Sequence, residues 1–457
     1  MKPAAPPAAT GVRFPAPRID SGRAPAFDRG MRTKTGLVTA ALVTAALVGC
    51  GKKVEDKPGA GSGTAAGTGA GTAARPASAP GVDLEHKVVR IGALNDESGP
   101  AKQIGVAFAN GKRLLVKAVE TGAIKALPDG WKIALVEKDH GYNPQQSVQL
   151  YKEIKDQILF ITTSFGTPPT LPLLEDLQRD DVVAFPASLS SKMAENEHTP
   201  PVGPSYVVEA MRAMDWAVES GGGAAKVKAA IIYQRDDYGE DGLAGWRQAA
   251  THHGVKLVSE QTIKPTDQDF TAVVKALKDA GATHVLMTVL PSATPGILGT
   301  AAKMKFAPTW IGNTPAWVDV FFAKLPPPLV GNFVWVTGLS YWGEELNGMT
   351  EFLATWHAHG KDKMGDPDYY ILASYAQGLV QLEALRRAIE AGEVTRAGFR
   401  KALHGLTDFD AGGLMQPVNL SKTPYVTSTR TRLLRPKMDT RSWEEVAPYA
   451  EPKALAP

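Results

Sequence analysis

Val88-Val89-Arg90-Ile91-Gly92-Ala93-Leu94, running into the turn Asn95-Asp96-Glu97-Ser98-Gly99-Pro100 and then a helical pattern over 103–120, decides the fold class. An apolar run of this length, closed by turn residues and followed by a helix, predicts a strand buried on both faces. The unit recurs. Residues 131–136 predict the next strand, and Pro144 opens a helix at the favourable first position. Further strands are predicted at 158–163, 182–186, 229–233, 255–260, 284–290 and 309–312, with helices at 241–253, 270–280 and 295–305. About four units precede Tyr206 and four follow Met214. One open sheet of that size is unusual. The expected class is therefore α/β, with two doubly wound parallel-sheet lobes. Ligands of such sheets bind beyond the strands' carboxyl ends, here the loops 95–103, 139–143, 164–170, 187–191, 234–239, 290–295 and 313–317.

Further along, 369–391 predicts a long helix, and Thr395 caps another. From Phe409 the pattern turns strand-like, through Gly412-Gly413, 418–420 and 425–434. Arg430-Thr431-Arg432 reads as a solvated strand face.

Composition excludes several classes. The 457 residues carry 50 Lys+Arg against 47 Asp+Glu, a formal charge of +3, which argues against a strongly basic nucleic-acid binder. The one cysteine, Cys50, allows neither an internal disulfide nor a cysteine metal site. No GxSxG, HExxH, Walker loop or helix-opening GxGxxG occurs. Gly221-Gly222-Gly223 precedes a strand, whereas a phosphate cradle follows one. His252-His253 sits at a helix end before Gly254, and His357 and His359, two apart, do not share a helix face. Asp236 and Asp237 are adjacent and rarely converge on one substrate; ligand contact or turn chemistry suits them better. The expectation is a protein that is not an enzyme, with no metal and no cofactor.

The N-terminal stretch reads as address and tether. Residues 1–30 are Pro/Ala/Arg-rich: either a disordered leader or the product of a start placed too early, since Met31 opens a complete signal. Arg32 and Lys34 precede an apolar run, 37–48, too short for a span of about 20 residues. Leu47-Val48-Gly49-Cys50 resembles the bacterial lipobox, which makes 31–49 a signal peptide and Cys50 the lipidated residue. Residues 50–85, rich in Gly, Ala and Thr, read as a flexible tether reaching roughly 30 Å. That implies a chain lipid-anchored in the bacterial envelope, facing the periplasm or the outer surface.

Several loops, taken in order, resemble the leucine/isoleucine/valine-type periplasmic binding proteins, the type I solute-binding subunits of ABC importers. The matching residues are Ile91 to Leu94 with Ser98-Gly99-Pro100 and Gly105, then Glu137 to Pro144, Gly166-Thr167 and Ala187-Ser188. Tyr233 to Asp241, Asp269-Phe270 and Gly412-Gly413 complete the series, and the resemblance spans about 88–447. It implies a Venus-flytrap with a three-strand hinge near Tyr206, Gly338 and Asp410. Lobe 1 would hold 86–206 and 339–410, lobe 2 would hold 207–338 and 411–447, and 448–457 would be a tail. The implied partners are a small solute, an ABC permease and its ATPase subunits; nucleic acid is not among them, and the chain is expected to be a monomer. The alternative is a ligand-sensing lipoprotein of the same fold, uncoupled from transport.

Candidate ligand-binding residues are Ser98, Gln103, Gly166, Thr167, Ala187, Ser188, Tyr206, Asp237, Tyr238, Thr294 and Asn313. Loop N–H groups beside the Ser98, Thr167 and Ser188 hydroxyls suit a carboxylate or other acceptor, with Tyr206 and Tyr238 as walls. In branched-chain amino-acid binders an acid after the strand equivalent to 284–290 holds the ligand's ammonium. Here that loop reads Leu290-Pro291-Ser292-Ala293-Thr294-Pro295-Gly296, without a carboxylate. An ammonium without a counter-charge is costly to desolvate. Unless Asp236 or Asp237 substitutes, the expected solute is a small carboxylate, amide or uncharged polar compound, not a free α-amino acid.

Overall fold

The computed structural model describes residues 79–455. Residues 1–30, the signal 31–49, Cys50 and most of the tether lie outside the described residues.

The first sheet contains β1 (Val82–Asp83), β2 (Val88–Asn95), β3 (Lys132–Asp139), β4 (Ile161–Phe165) and β5 (Ala184–Ala187). β3 flanks β2 on one side and β4 then β5 on the other, all parallel. β1 pairs antiparallel with the start of β2, Val82 opposite Val89. The last residues of the expected tether are therefore bound to the sheet, because Ala79 and Val82 pack on the core. The second sheet contains β6 (Lys228–Gln234), β7 (Lys256–Ile263), β8 (His284–Thr288), β9 (Thr309–Gly312), β10 (Phe333–Thr337), β11 (Thr431–Lys437) and β12 (Ser442–Ala450). Its order is β7-β6-β8-β9-β10-β11-β12, with only β11 and β12 antiparallel to their neighbours. β10 was not among the predicted strands, although Phe-Val-Trp-Val-Thr has the same two-faced apolar character.

Helices α1 (Lys102–Thr121), α2 (Pro144–Ile154), α3 (Tyr206–Ser220), α4 (Asp237–His253), α5 (Thr271–Asp279), α6 (Thr294–Lys303), α7 (Asn347–His359), α8 (Tyr369–Glu390) and α9 (Arg396–His404) cover the sheets. Strand alternation explains why both faces need cover. In β6, Ala229 and Ile231 pack with Trp216 and Trp246 of α3 and α4, whereas Ala230 and Ile232 join Leu277 and Ile297 of α5 and α6. In the first lobe Leu94 and Ile161 meet Leu150 and Ile154 of α2, while Val89 and Ile91 share a core with α1 and α8. Local chemistry sets the helix starts. Thr395 Oγ1 accepts from Gly398 N at 3.0 Å, and Asp236 Oδ1 accepts from Gly239 N at 3.2 Å. The latter cap starts α4 at Asp237 instead of the expected 241.

The C-terminal part departs most from expectation. Residues 409–430 form only the isolated bridges Leu339 with Met415 and Phe409 with Val418; regular strand begins at Thr431. Arg432 is not solvated. It is 6% exposed, pairs with Glu344 and lies 4.8 Å over the Tyr449 ring. The expected tail is also docked: Lys453 N donates to Asp215 Oδ2 at 2.8 Å, and its ammonium meets Glu219 at 2.7 Å.

Three crossings join the lobes at Pro204, Gly338 and Arg430, and these residues meet. A Cβ on Gly338 would lie 2.1 Å from Pro204 Cγ and 3.6 Å from the Arg430 carbonyl. Between Asp410, near which the third crossing is expected, and Arg430 the chain still bonds to first-lobe residues. There Leu420 N donates to Leu406 O at 3.0 Å and Tyr425 N to Ala194 O at 2.6 Å.

Candidate functional site

Both sheets point their carboxyl ends at one cavity. Lobe 1 supplies Gly166 and Thr167 after β4, and Ala187 and Ser188 after β5. Gly166 holds φ at 85°, and a Cβ there would run into Tyr142 Cε2 at 2.6 Å. Thr167 Oγ1 and Ser188 Oγ are 2.6 Å apart. Lobe 2 supplies Tyr238 from the first turn of α4, Leu290 beyond β8, and Thr314 beyond β9. Tyr206, which opens α3, sets its ring 4.8 Å from that of Tyr238 at 67°. Tyr238 donates to Asn313 Oδ1 at 2.9 Å and Val289 O at 3.1 Å, and burial raises its pKa well above that of a free phenol.

Thr314 is fixed from behind. Its N–H and hydroxyl reach the buried Glu209 carboxyl at 3.0 and 2.5 Å, and burial pushes Glu209 up to about 8. Tyr370 OH donates to Thr314 O at 2.7 Å and Trp317 O at 3.0 Å. The threonine at the cavity wall therefore has little freedom.

Of the residues singled out in the sequence, Gly166, Thr167, Ala187, Ser188, Tyr206 and Tyr238 line the cavity. The other five do not, each for a local reason. Ser98 is exposed and its hydroxyl turns to Asp139. Gln103 is exposed; the next helical position, about 100° around, carries Ile104 into the lining instead. Asp237 pairs with Lys192. Thr294 Oγ1 donates inward to Ala316 O at 2.8 Å. Asn313 is held behind Tyr238. Asp236 is consumed as a helix cap.

Sequence reasoning missed Ile104 and Phe108 on α1, Tyr142, and Tyr369, Tyr370 and Gln377 on α8. The available signal was the aromatic pair Tyr369-Tyr370 behind the capping Asp368, whose side chain accepts from Tyr370 N at 2.7 Å. No Asp, Glu, Lys, Arg or His lines this cavity. At its rim the lobes touch: Ser191 donates its N–H to Asp241 Oδ2 at 2.8 Å and its hydroxyl to the same carboxylate. Gln234 Nε2 reaches Tyr142 OH at 3.5 Å. Burial pushes Asp241 up to about 6. Among the described residues no cluster of three His, Cys, Asp or Glu could hold a metal, and no helix is long and apolar enough to cross a membrane.

Comparison with known proteins agrees with this architecture. A substrate-binding protein of a fatty acid ABC transporter from Thermomonospora curvata superposes with a TM-score of 0.76 at 22% identity, covering 83% of this chain and 95% of that one. A branched-chain amino acid ABC transporter protein from Thermus thermophilus with bound valine gives 0.71 at 20% identity, covering 81% and 98%. A Leu/Ile/Val-binding protein homologue from Brucella melitensis is 25% identical over 201 residues, 42% of this chain. The match spans about half of that relative's length, 52%. The sequence profile of the periplasmic binding protein family matches residues 88–437, most of the described body, and the chain belongs to that family.

Proposed function

We propose that this chain is an extracytoplasmic solute-binding lipoprotein, anchored through Cys50, that closes its two lobes on a small solute and delivers it to an ABC permease. The observation that carries the solute reading is a cavity at the carboxyl ends of both sheets whose lining holds aromatic and aliphatic side chains, a few hydroxyls and one amide, and no acid or base. Such a lining suits an apolar body with one polar group, a carboxylate or amide, held at Thr167 and Ser188 and walled by Tyr206 and Tyr238. A zwitterionic α-amino acid would leave its ammonium without a counter-charge. Calorimetry with leucine, valine and alanine should give no micromolar binding; such binding by any of them sinks the solute reading. The anchor is checked separately: Cys50→Ala should lose incorporation of labelled palmitate, and retained label refutes it.

Closure gives a pH signature. Burial at the lobe contact raises Asp241 from 3.8 to about 6, against the opposing pull of the Ser191 hydrogen bonds, and parting the lobes is expected to return it to water and its ordinary value. The closed form then binds the proton more strongly, so falling pH favours closure. The gain develops between about pH 6 and pH 4 and vanishes above 7. Two pKa units correspond to roughly a hundredfold ceiling, and a rise in affinity of tenfold or more from pH 7 to pH 4.5 is expected. Asp241→Asn should flatten that rise; an unchanged pH profile in the variant counts against the latch.

A further inference from the structure

Lys112 lies in the middle of α1 and is 2% exposed. Its ammonium nitrogen is 2.8 Å from Ser374 O and 2.9 Å from Gln377 Oε1, both on α8. It sits 5.8 Å over the Phe108 ring. Phe108 and Gln377 line the cavity, and Lys112 stands directly behind both. The Gln377 amide continues the chain by donating to Pro186 O at 3.0 Å, and Gln381 Nε2 donates to Gln377 Oε1 at 3.4 Å and to Thr162 O on β4 at 2.9 Å. The hydrogen-bond partners of Lys112 itself are a backbone carbonyl and an amide oxygen. No carboxylate is among its partners. The one charged neighbour on its own helix, Arg113, turns away to Glu97 at 2.7 Å and Glu137 at 3.0 Å.

A buried lysine without an acid is a costly arrangement for a core that could hold leucine or methionine at this position. The missing negative charge has one place to come from, the cavity on the far side of Phe108 and Gln377. We propose that Lys112 is the charge-selecting residue of the cavity, which takes an organic acid of apolar body as its anion, with Lys112 supplying the counter-charge through the wall. This rests on the reading of the cavity as an apolar-solute site and names the polar group that site prefers. Desolvation holds Lys112 well below the ordinary lysine range. An anion arriving in a medium of low dielectric restores the ammonium. Ligand binding then draws in a proton from solution. Cations and zwitterions are disfavoured, because their ammonium finds no acid in the cavity lining.

The test uses matched probes that differ by one charge: benzoate against benzamide, and octanoate against octanamide. The unaltered chain should bind the better acid at least tenfold more tightly than its amide at pH 7. Lys112→Met, apolar and of similar length, should bring acid and amide within twofold of each other. A variant that keeps the tenfold preference overturns the proposal, as does one in which both probes weaken together, since that marks a merely structural lysine. A second measurement needs no variant. Between pH 7 and pH 10, calorimetry in two buffers of different protonation enthalpy should show net proton uptake when the acid binds; no uptake anywhere in that range overturns the proposal. If the unaltered chain binds acid and amide equally, the cavity reading stands and charge selection fails. If neither class binds while leucine does, the cavity reading itself fails.

Discussion

Replacing Tyr238 with Ala is expected to weaken solute binding at least a hundredfold and to lower unfolding stability by about 3–5 kcal/mol. The side chain is 2% exposed and opens α4 directly beneath the cavity. Its removal deletes the edge-to-face partner of Tyr206 at 4.8 Å, a pairing worth about 1 kcal/mol beyond simple burial. It also strands Asn313 Oδ1 and Val289 O, both of which accept from the phenol. Asn313 Nδ2 already has no partner, so nothing nearby can compensate. Tyr238→Phe separates the contributions. It keeps the ring and loses only the hydroxyl, for an expected loss of about 1–3 kcal/mol. Urea unfolding and calorimetry of both variants decide the matter: equal effects of Phe and Ala would refute the ring's role as cavity wall.

Gly105→Ala and Gly239→Ala should each cost about 3 kcal/mol or more, although alanine is normally the better helix former. The two glycines occupy equivalent places in the two lobes, where the first helix meets the exit of the first strand. A Cβ on Gly105 would lie 1.7 Å from Asp96 O, and one on Gly239 1.8 Å from Gln234 O. Those contacts are with backbone, so neither helix can accept a methyl without backing off its sheet and carrying Phe108 or Tyr238 with it. Gly299, inside α6 with nothing within 4 Å of its Cβ position, is the internal control. Gly299→Ala should stabilise by about 0.5–1 kcal/mol. Thermal melts of the three variants check this, and a destabilised Gly299→Ala would show that helix strain, not the carbonyl contact, is responsible.

The strands were legible where a buried run is bounded by turn residues. β2, β3 and β6 need no partner information, because burial on both faces writes itself as continuous apolar sequence. The loops beyond strand ends were equally legible, which is why Gly166, Thr167, Ala187 and Ser188 were found. What sequence cannot supply is the direction of a side chain once a loop has packed. Thr294 and Asn313 lie in the right loops and face the wrong way. Nor does it reveal contributions from remote segments: Tyr369 and Gln377 reach the cavity only because α8 packs on α1, more than 250 positions earlier in the chain. Lys112 was invisible for the same reason, since a lysine on an amphipathic helix reads as solvated until its neighbours are known. Beyond Asp410 the backbone bonds of Leu420 and Tyr425 tie the chain to Leu406 and Ala194 of the first lobe, pairings between distant segments that the local sequence does not announce.

The meeting of Pro204, Gly338 and Arg430 bears on the order in which the chain can fold as it is made. Each lobe is assembled from two separated stretches, so neither is finished when its first stretch has emerged. Lobe 1 waits for α8 and α9. Lobe 2 waits longer, since β11 enters beside β10 and β12 closes the edge only at Ala450. Trp443, stacked 4.8 Å from Trp335, emerges about a hundred positions after its partner. Until then the outer edge of β10 has unpaired backbone, and the apolar residues destined for β11 have no partner. A chain with this threading leaves both lobes unfinished until its returning segments have emerged and commits to its tertiary structure only when β12 joins β11.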